Sequence, residues 1–153
     1  VQTLPLIYSF AMIVDAIAAI IFGKLFDCFG VISLIFATFL SSAFSLFIFE
    51  FNSVILLFVG VTLWGIGMGA QESILKAIVT TMVPKDNRAT GYGIFEFSFG
   101  IFGFLGSFIM GILYDYSILA LVIVSIIVQL ISIPFYIFSS FRKKKEDLLV
   151  NEE

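Results

Sequence analysis

Apolar residues run along this chain in five long blocks, at about Leu4–Phe22, Val31–Phe49, Val54–Val83, Gly93–Tyr114 and Ile118–Phe141, with short polar gaps between them. None alternates apolar and polar positions with a period of two, so they do not read as strands of a membrane barrel. A hydrocarbon core about 30 Å thick needs roughly 20 helical residues to cross it, and each block has that length. A helix satisfies all its backbone groups within the segment, which lipid demands. The pattern predicts an all-α integral membrane protein: a bundle of five transmembrane helices over residues 1–141, then a charged tail at 142–153. The third block is free of charge to Ala70 and then carries Gln71, Glu72 and Lys76, so it is expected to project past the bilayer before Pro84 stops it. Pro5 falls in a first turn, where its missing N–H is harmless. Pro134 falls inside the fifth block and is expected to bend it. The tail is expected to lose order beyond its first turn.

Composition supports lipid as the solvent. Charged residues are 12% of the chain and hydrophobic ones 61%, with 20 Phe; a soluble domain of this size keeps too much surface in water to hide that. The basic residues then orient the bundle. Lys24 follows the first block, Lys85 and Arg88 the third, and Arg142 to Lys145 the fifth, while the gaps at Glu50–Ser53 and Asp115–Ser117 have none. Basic residues are retained on the cytoplasmic side, which predicts a multi-pass protein of the plasma membrane with a cytoplasmic C-terminus and residue 1 on the opposite face. An odd number of spans in that orientation leads to the expectation that the chain is the C-terminal portion of a longer protein. The single cysteine, Cys28, and the absence of His leave no disulfide, no cysteine-rich metal site and no Ser-His-Asp set. No cofactor is expected, no phosphate-binding loop is present, and no basic stripe outside the loops suits nucleic acid.

Between the first two blocks the chain reads Gly23-Lys24-Leu25-Phe26-Asp27-Cys28-Phe29-Gly30. The glycines suit a tight turn, and Asp27 suits the positive end of a helix. Further on, Trp64-Gly65-Ile66-Gly67-Met68-Gly69-Ala70-Gln71-Glu72-Ser73 precedes Pro84-Lys85-Asp86-Asn87-Arg88-Ala89-Thr90-Gly91-Tyr92-Gly93, followed by Gly100, Gly103, Gly106, Gly111 and Leu113-Tyr114-Asp115. The first stretch resembles the cytoplasmic loop signature of the major facilitator superfamily, with Gly23, Leu25, Asp27 and Gly30 matching. Cys28 and Val31 stand where basic residues are common, as in a degraded second-half copy. The later succession resembles helices ten and eleven of such a transporter.

The resemblance implies that the five blocks correspond to helices eight to twelve of a twelve-helix fold, part of its C-terminal half, with the N-terminal half as the missing partner. It also implies a role for the start of helix eleven, here Arg88 and Gly91, in receiving the acidic residue of the first-half loop. Asp27 would by symmetry meet the start of helix five, outside this chain.

Gly65 and Gly69, and Gly103, Ser107 and Gly111, place small residues at one-turn spacing, which lets membrane helices approach closely. Such faces serve permanent packing or sliding during rocking, and the residues alone do not separate the two. Asp15, Glu72, Lys76 and Glu96 are ionisable groups at membrane depth, costly and therefore candidates for function. Asp15 is placed eight residues before Gly23, roughly 12 Å inside. Glu72 and Lys76 can pair along one helix, and Glu96, just after the Gly91-Tyr92-Gly93 turn, can stabilise a helix start. The other reading of these groups is a gate or a proton-coupling network. Gln71 and Gln129 either face a cavity or hydrogen-bond a neighbouring helix.

The function implied is secondary active transport of a small solute by alternating access, with protons as one candidate coupling ion and no chemical bond made or broken. A non-transporting membrane scaffold or regulatory half-protein is the alternative. A channel is disfavoured because no block carries a repeated polar stripe.

Overall fold

A computed structural model describes the backbone of residues 4–49 and 53–150 and the side chains as far as residue 138. Its elements are α1 (Leu4–Phe29), α2 (Val31–Ser41), α3 (Phe44–Phe49), α4 (Val54–Met82), a 3-10 turn (Lys85–Asn87), α5 (Arg88–Tyr116) and α6 (Ile118–Val150). They make five helical spans long and apolar enough to cross a membrane, with α2 and α3 together forming the second. The chain is an all-α, multi-pass membrane bundle, and no strand occurs among the described residues.

The helix ends differ from the expected block ends for local reasons. Gly23 does not break α1, which runs to Phe29. The reversal falls on Gly30 alone, at φ 61°, a region that glycine enters without a Cβ penalty. The second span is interrupted at Ser42. There the hydroxyl donates to the Phe39 carbonyl at 2.7 Å, while the N–H is shared between Thr38 O at 3.0 Å and Phe39 O at 3.3 Å. Serine competing for its own helix's carbonyls is a recognised cause of such breaks. Pro84 ends α4 as expected: the residue before a proline is pushed to extended geometry, and Val83 has φ −105° and ψ 128°.

The helix after that turn begins at Arg88, so Gly91 and Gly93 lie inside α5 rather than in a turn. Ser117 is extended and its Oγ accepts the Ala120 N–H at 3.4 Å, starting α6. The α6 backbone continues through Pro134 to Val150, so the tail expected to lose order beyond its first turn is helical as far as Val150. The side chains of Arg142 to Lys145, the gap at 50–52 and residues 151–153 lie outside the described residues.

Packing centres on α1 and α4, which run parallel. Stepping along both in the same direction, Gly65 lies against Ala11, Gly69 against Asp15, and Gly23 against Ser73. α2 packs on α4, α6 and α1, enclosing a core of Ala18, Phe22, Leu34, Ala37, Ala70 and Ile74. By contrast no residue of α5 is buried. Most large side chains point outward, Phe97, Phe102 and Phe138 among them at about 70% exposure or more. That surface would be an aggregation hazard in water and suits hydrocarbon, or other helices, within a bilayer.

Candidate functional site

Two stripes of residues meet where α4 turns into α5. Glu72, Lys76 and Thr80 follow one another at intervals of four along α4, and Arg88, Tyr92 and Glu96 do the same along α5. Residues four apart share a helix face, so the antiparallel hairpin folded at Pro84 brings the stripes together rung by rung. Lys76 Nζ lies 2.7 Å from Glu72 Oε1 and 3.3 Å from Glu96 Oε1. One rung closer to the turn, the Tyr92 hydroxyl is hydrogen-bonded to Thr80 Oγ1 and also donates to the Lys76 carbonyl at 3.3 Å. Arg88 Nη2 donates to the Thr80 carbonyl at 3.2 Å, and Gly91 packs on Val83, where a Cβ would come within 2.9 Å of Cγ2.

Several expected roles change with this geometry. Glu96 stands two turns inside α5, whose first turn contains no acid, so it pairs with Lys76 instead of stabilising a helix start. Thr80 and Tyr92 were not singled out by sequence, though the four-residue spacing on either side of Pro84 carried the signal.

Asp15 stands far from either end of α1. Because α1 extends to Phe29, its carboxylate is 14 residues, about 21 Å, from that end of the helix. Oδ1 is shielded from solvent and has no hydrogen-bond partner. The Asp15 backbone is in direct contact with Gly69. A shielded carboxylate oxygen without a partner is expensive in a low-dielectric setting.

Gln129 takes one of its two expected roles. Its Oε1 accepts a hydrogen bond from Ser41 Oγ at 3.3 Å, tying α6 to α2. Gln71 is half-buried in α4. Of the loop residues, Gly23 and Leu25 are half-buried within α1, while Asp27 is exposed, with no hydrogen bond or ion pair among the described residues. The structure therefore does not bring Asp27 to a helix start of this chain.

The two small-residue stripes part company. Gly65 and Gly69 are closed against α1, where a Cβ on Gly65 would lie 2.9 Å from the Ala11 carbonyl. Gly67, on another face of α4, is also closed: a Cβ there would lie 2.5 Å from Ser41 Cβ. A Cβ on Gly103 or Gly111 would meet nothing within 4 Å, and Ser107 is exposed. The expected α5 packing face has no partner helix among the described residues.

Comparison with known proteins follows the same lines. The sequence model of the Major Facilitator Superfamily matches residues 1–152. Over 129 residues the chain is 36% identical to the uncharacterized proteins Rv2265 of Mycobacterium tuberculosis (strain H37Rv) and Mb2288 of Mycobacterium bovis. The match covers 84% of this chain and 31% of each relative, so the chain spans about a third of the length of the curated relatives it matches. No solved structure gives a significant match.

Proposed function

This chain belongs to the major facilitator superfamily, and from that premise we propose that it is part of a secondary active transporter moving a small solute by alternating access. The chain supplies helices eight to twelve of such a transporter in this reading, and the solute binds near the bilayer midplane between these helices and those of an N-terminal half. The end of the bundle bearing Lys24, Lys85 and Arg88 faces the cytoplasm, as the distribution of basic residues supports, and the membrane is the plasma membrane.

The observation that carries the reading is the start of α5. Asn87 provides no side-chain cap and the first turn holds no acid. Arg88 uses Nη2 on the Thr80 carbonyl while its Nε is buried without a partner. A positive helix end beside an incompletely paired guanidinium is a receptor for a carboxylate. In this reading the carboxylate comes from the loop of the other half. Asp15 is the candidate coupling residue, since its Oδ1 is shielded and no cation among the described residues pairs with it.

Reconstitution into proteoliposomes of the transporter with both halves present tests the proposal. A panel of radiolabelled sugars, amino acids, organic acids and organic cations is presented under a solute or pH gradient. Accumulation of one class above protein-free liposomes supports transport, and no accumulation of any class counts against it.

A further inference from the structure

Two carboxylates on different helices compete for one ammonium at the α4–α5 junction. Lys76 Nζ sits 2.7 Å from Glu72 Oε1, on its own helix, and 3.3 Å from Glu96 Oε1, on α5. The triad carries one net negative charge, so the ammonium cannot neutralise both acids. All three side chains are partly exposed, at 38% for Lys76, 48% for Glu72 and 51% for Glu96, leaving Nζ room to move between them. A lysine ammonium is a point charge on a flexible stem with three rotatable donors, which suits exchange better than an arginine fork does.

The two pairs do different mechanical work. Lys76–Glu72 closes within one helix turn and holds nothing else in place. Lys76–Glu96 crosses to α5. The hydrogen bonds and the glycine contact that also join α4 to α5 lie at the turn end: Thr80 with Tyr92, Arg88 with the Thr80 carbonyl, and Gly91 with Val83. Beyond Glu96, a Cβ on Gly100, Gly103, Gly106 or Gly111 would meet nothing within 4 Å, no residue of α5 is buried, and the further contacts of α5 are with α6 and, through Tyr114, with Phe49 of α3. The connection between the helices is a short extended segment at Val83 and Pro84 followed by one 3-10 turn. Such a junction can absorb a change of angle without breaking either helix.

We propose that Lys76 is a latch. Committed to Glu96 it holds α5 against α4; committed to Glu72 it leaves α5, carried on α6, to swing away from α4 about the Val83–Asn87 turn. Neutralising either acid biases the latch in opposite directions, because removing one competitor hands the ammonium to the other. The inference rests on the α4–α5 geometry and not on the transport reading.

The test is a distance measurement between spin labels at Met68→Cys on α4 and Phe104→Cys on α5, both exposed positions far from the turn, with Cys28→Ser, in the protein held in lipid nanodiscs. Glu96→Gln should move weight toward longer separations, and Glu72→Gln should move it toward shorter ones. Each should change the ratio by roughly two- to fivefold, the range of one partly exposed ion pair. In a Lys76→Met background both glutamine variants should leave the distribution where Lys76→Met alone puts it. Shifts of both variants in the same direction, no shift in either, or shifts that persist without Lys76 would overturn the latch. No solute is needed, so the distances report on the latch even where transport itself is not detected.

Discussion

The carbonyl of Asp15 and the α-carbon of Gly69 are in direct contact across the α1–α4 seam, with no space for a β-carbon between them. This is the tightest of several close approaches along the seam, and it comes at the depth where α1 carries its shielded carboxylate. Membrane helices gain little from the hydrophobic effect against each other, so backbone proximity of this kind is a main source of their association.

Gly69→Ala should therefore force α1 and α4 apart and cost about 1–3 kcal/mol, the range for overpacking a close-packed site. Gly103→Ala, on the open face of α5, should leave the stability of this segment unchanged or slightly raised, since alanine is the better helix former. Thermal unfolding of the two variants in one detergent checks both. Equal losses would contradict the difference between the two stripes.

Asp15→Asn should keep the fold, with a melting temperature no lower than that of the parent, because it removes a charge that has no hydrogen-bond partner on Oδ1. In proteoliposomes it should abolish the dependence of uptake on the pH gradient. Retention of that dependence would remove Asp15 from the coupling step.

The Tyr92 hydroxyl bridges Thr80 Oγ1 and the Lys76 carbonyl. Tyr92→Phe and Thr80→Val should each cost about 0.5–1.5 kcal/mol, and the double variant should cost less than the sum of the two. A double-variant cycle by thermal unfolding measures the coupling, and strict additivity would mean that the hydroxyls do not act on each other.

Ser41→Ala should cost about 0.6 kcal/mol, the mean for hydrogen bonds between membrane helices, and Gln129→Leu should add little once Ser41 is gone. The pair ties α6 to α2 at the point where the second span is interrupted. An additive loss would show that the 3.3 Å contact contributes nothing.

The order of apolar blocks and polar gaps was enough to establish a bundle of five membrane spans, because a span must be both long and apolar and few other segments are. The spacing of Glu72 and Lys76 likewise announced their pairing, since four residues bring side chains together on any helix. Helix ends were harder to read. Gly23 and Gly91 have the composition of turns but lie within helices, because a glycine permits a reversal without requiring one. Ser42 breaks a helix through hydrogen bonds to carbonyls that are its neighbours only once the helix exists.

Contacts between helices were decided by tertiary structure alone. Gly65-x-x-x-Gly69 and the Gly103, Ser107 and Gly111 stripe look alike as sequence, yet one is sealed against α1 and the other faces open space. Glu96 exchanges the role of a helix-start acid for a bond to Lys76, and Gln129 finds Ser41, which is 88 residues away in the chain. Periodicity tells which residues share a face of one helix. Which face meets which neighbour depends on how the helices pack, and that is a property of the assembled bundle.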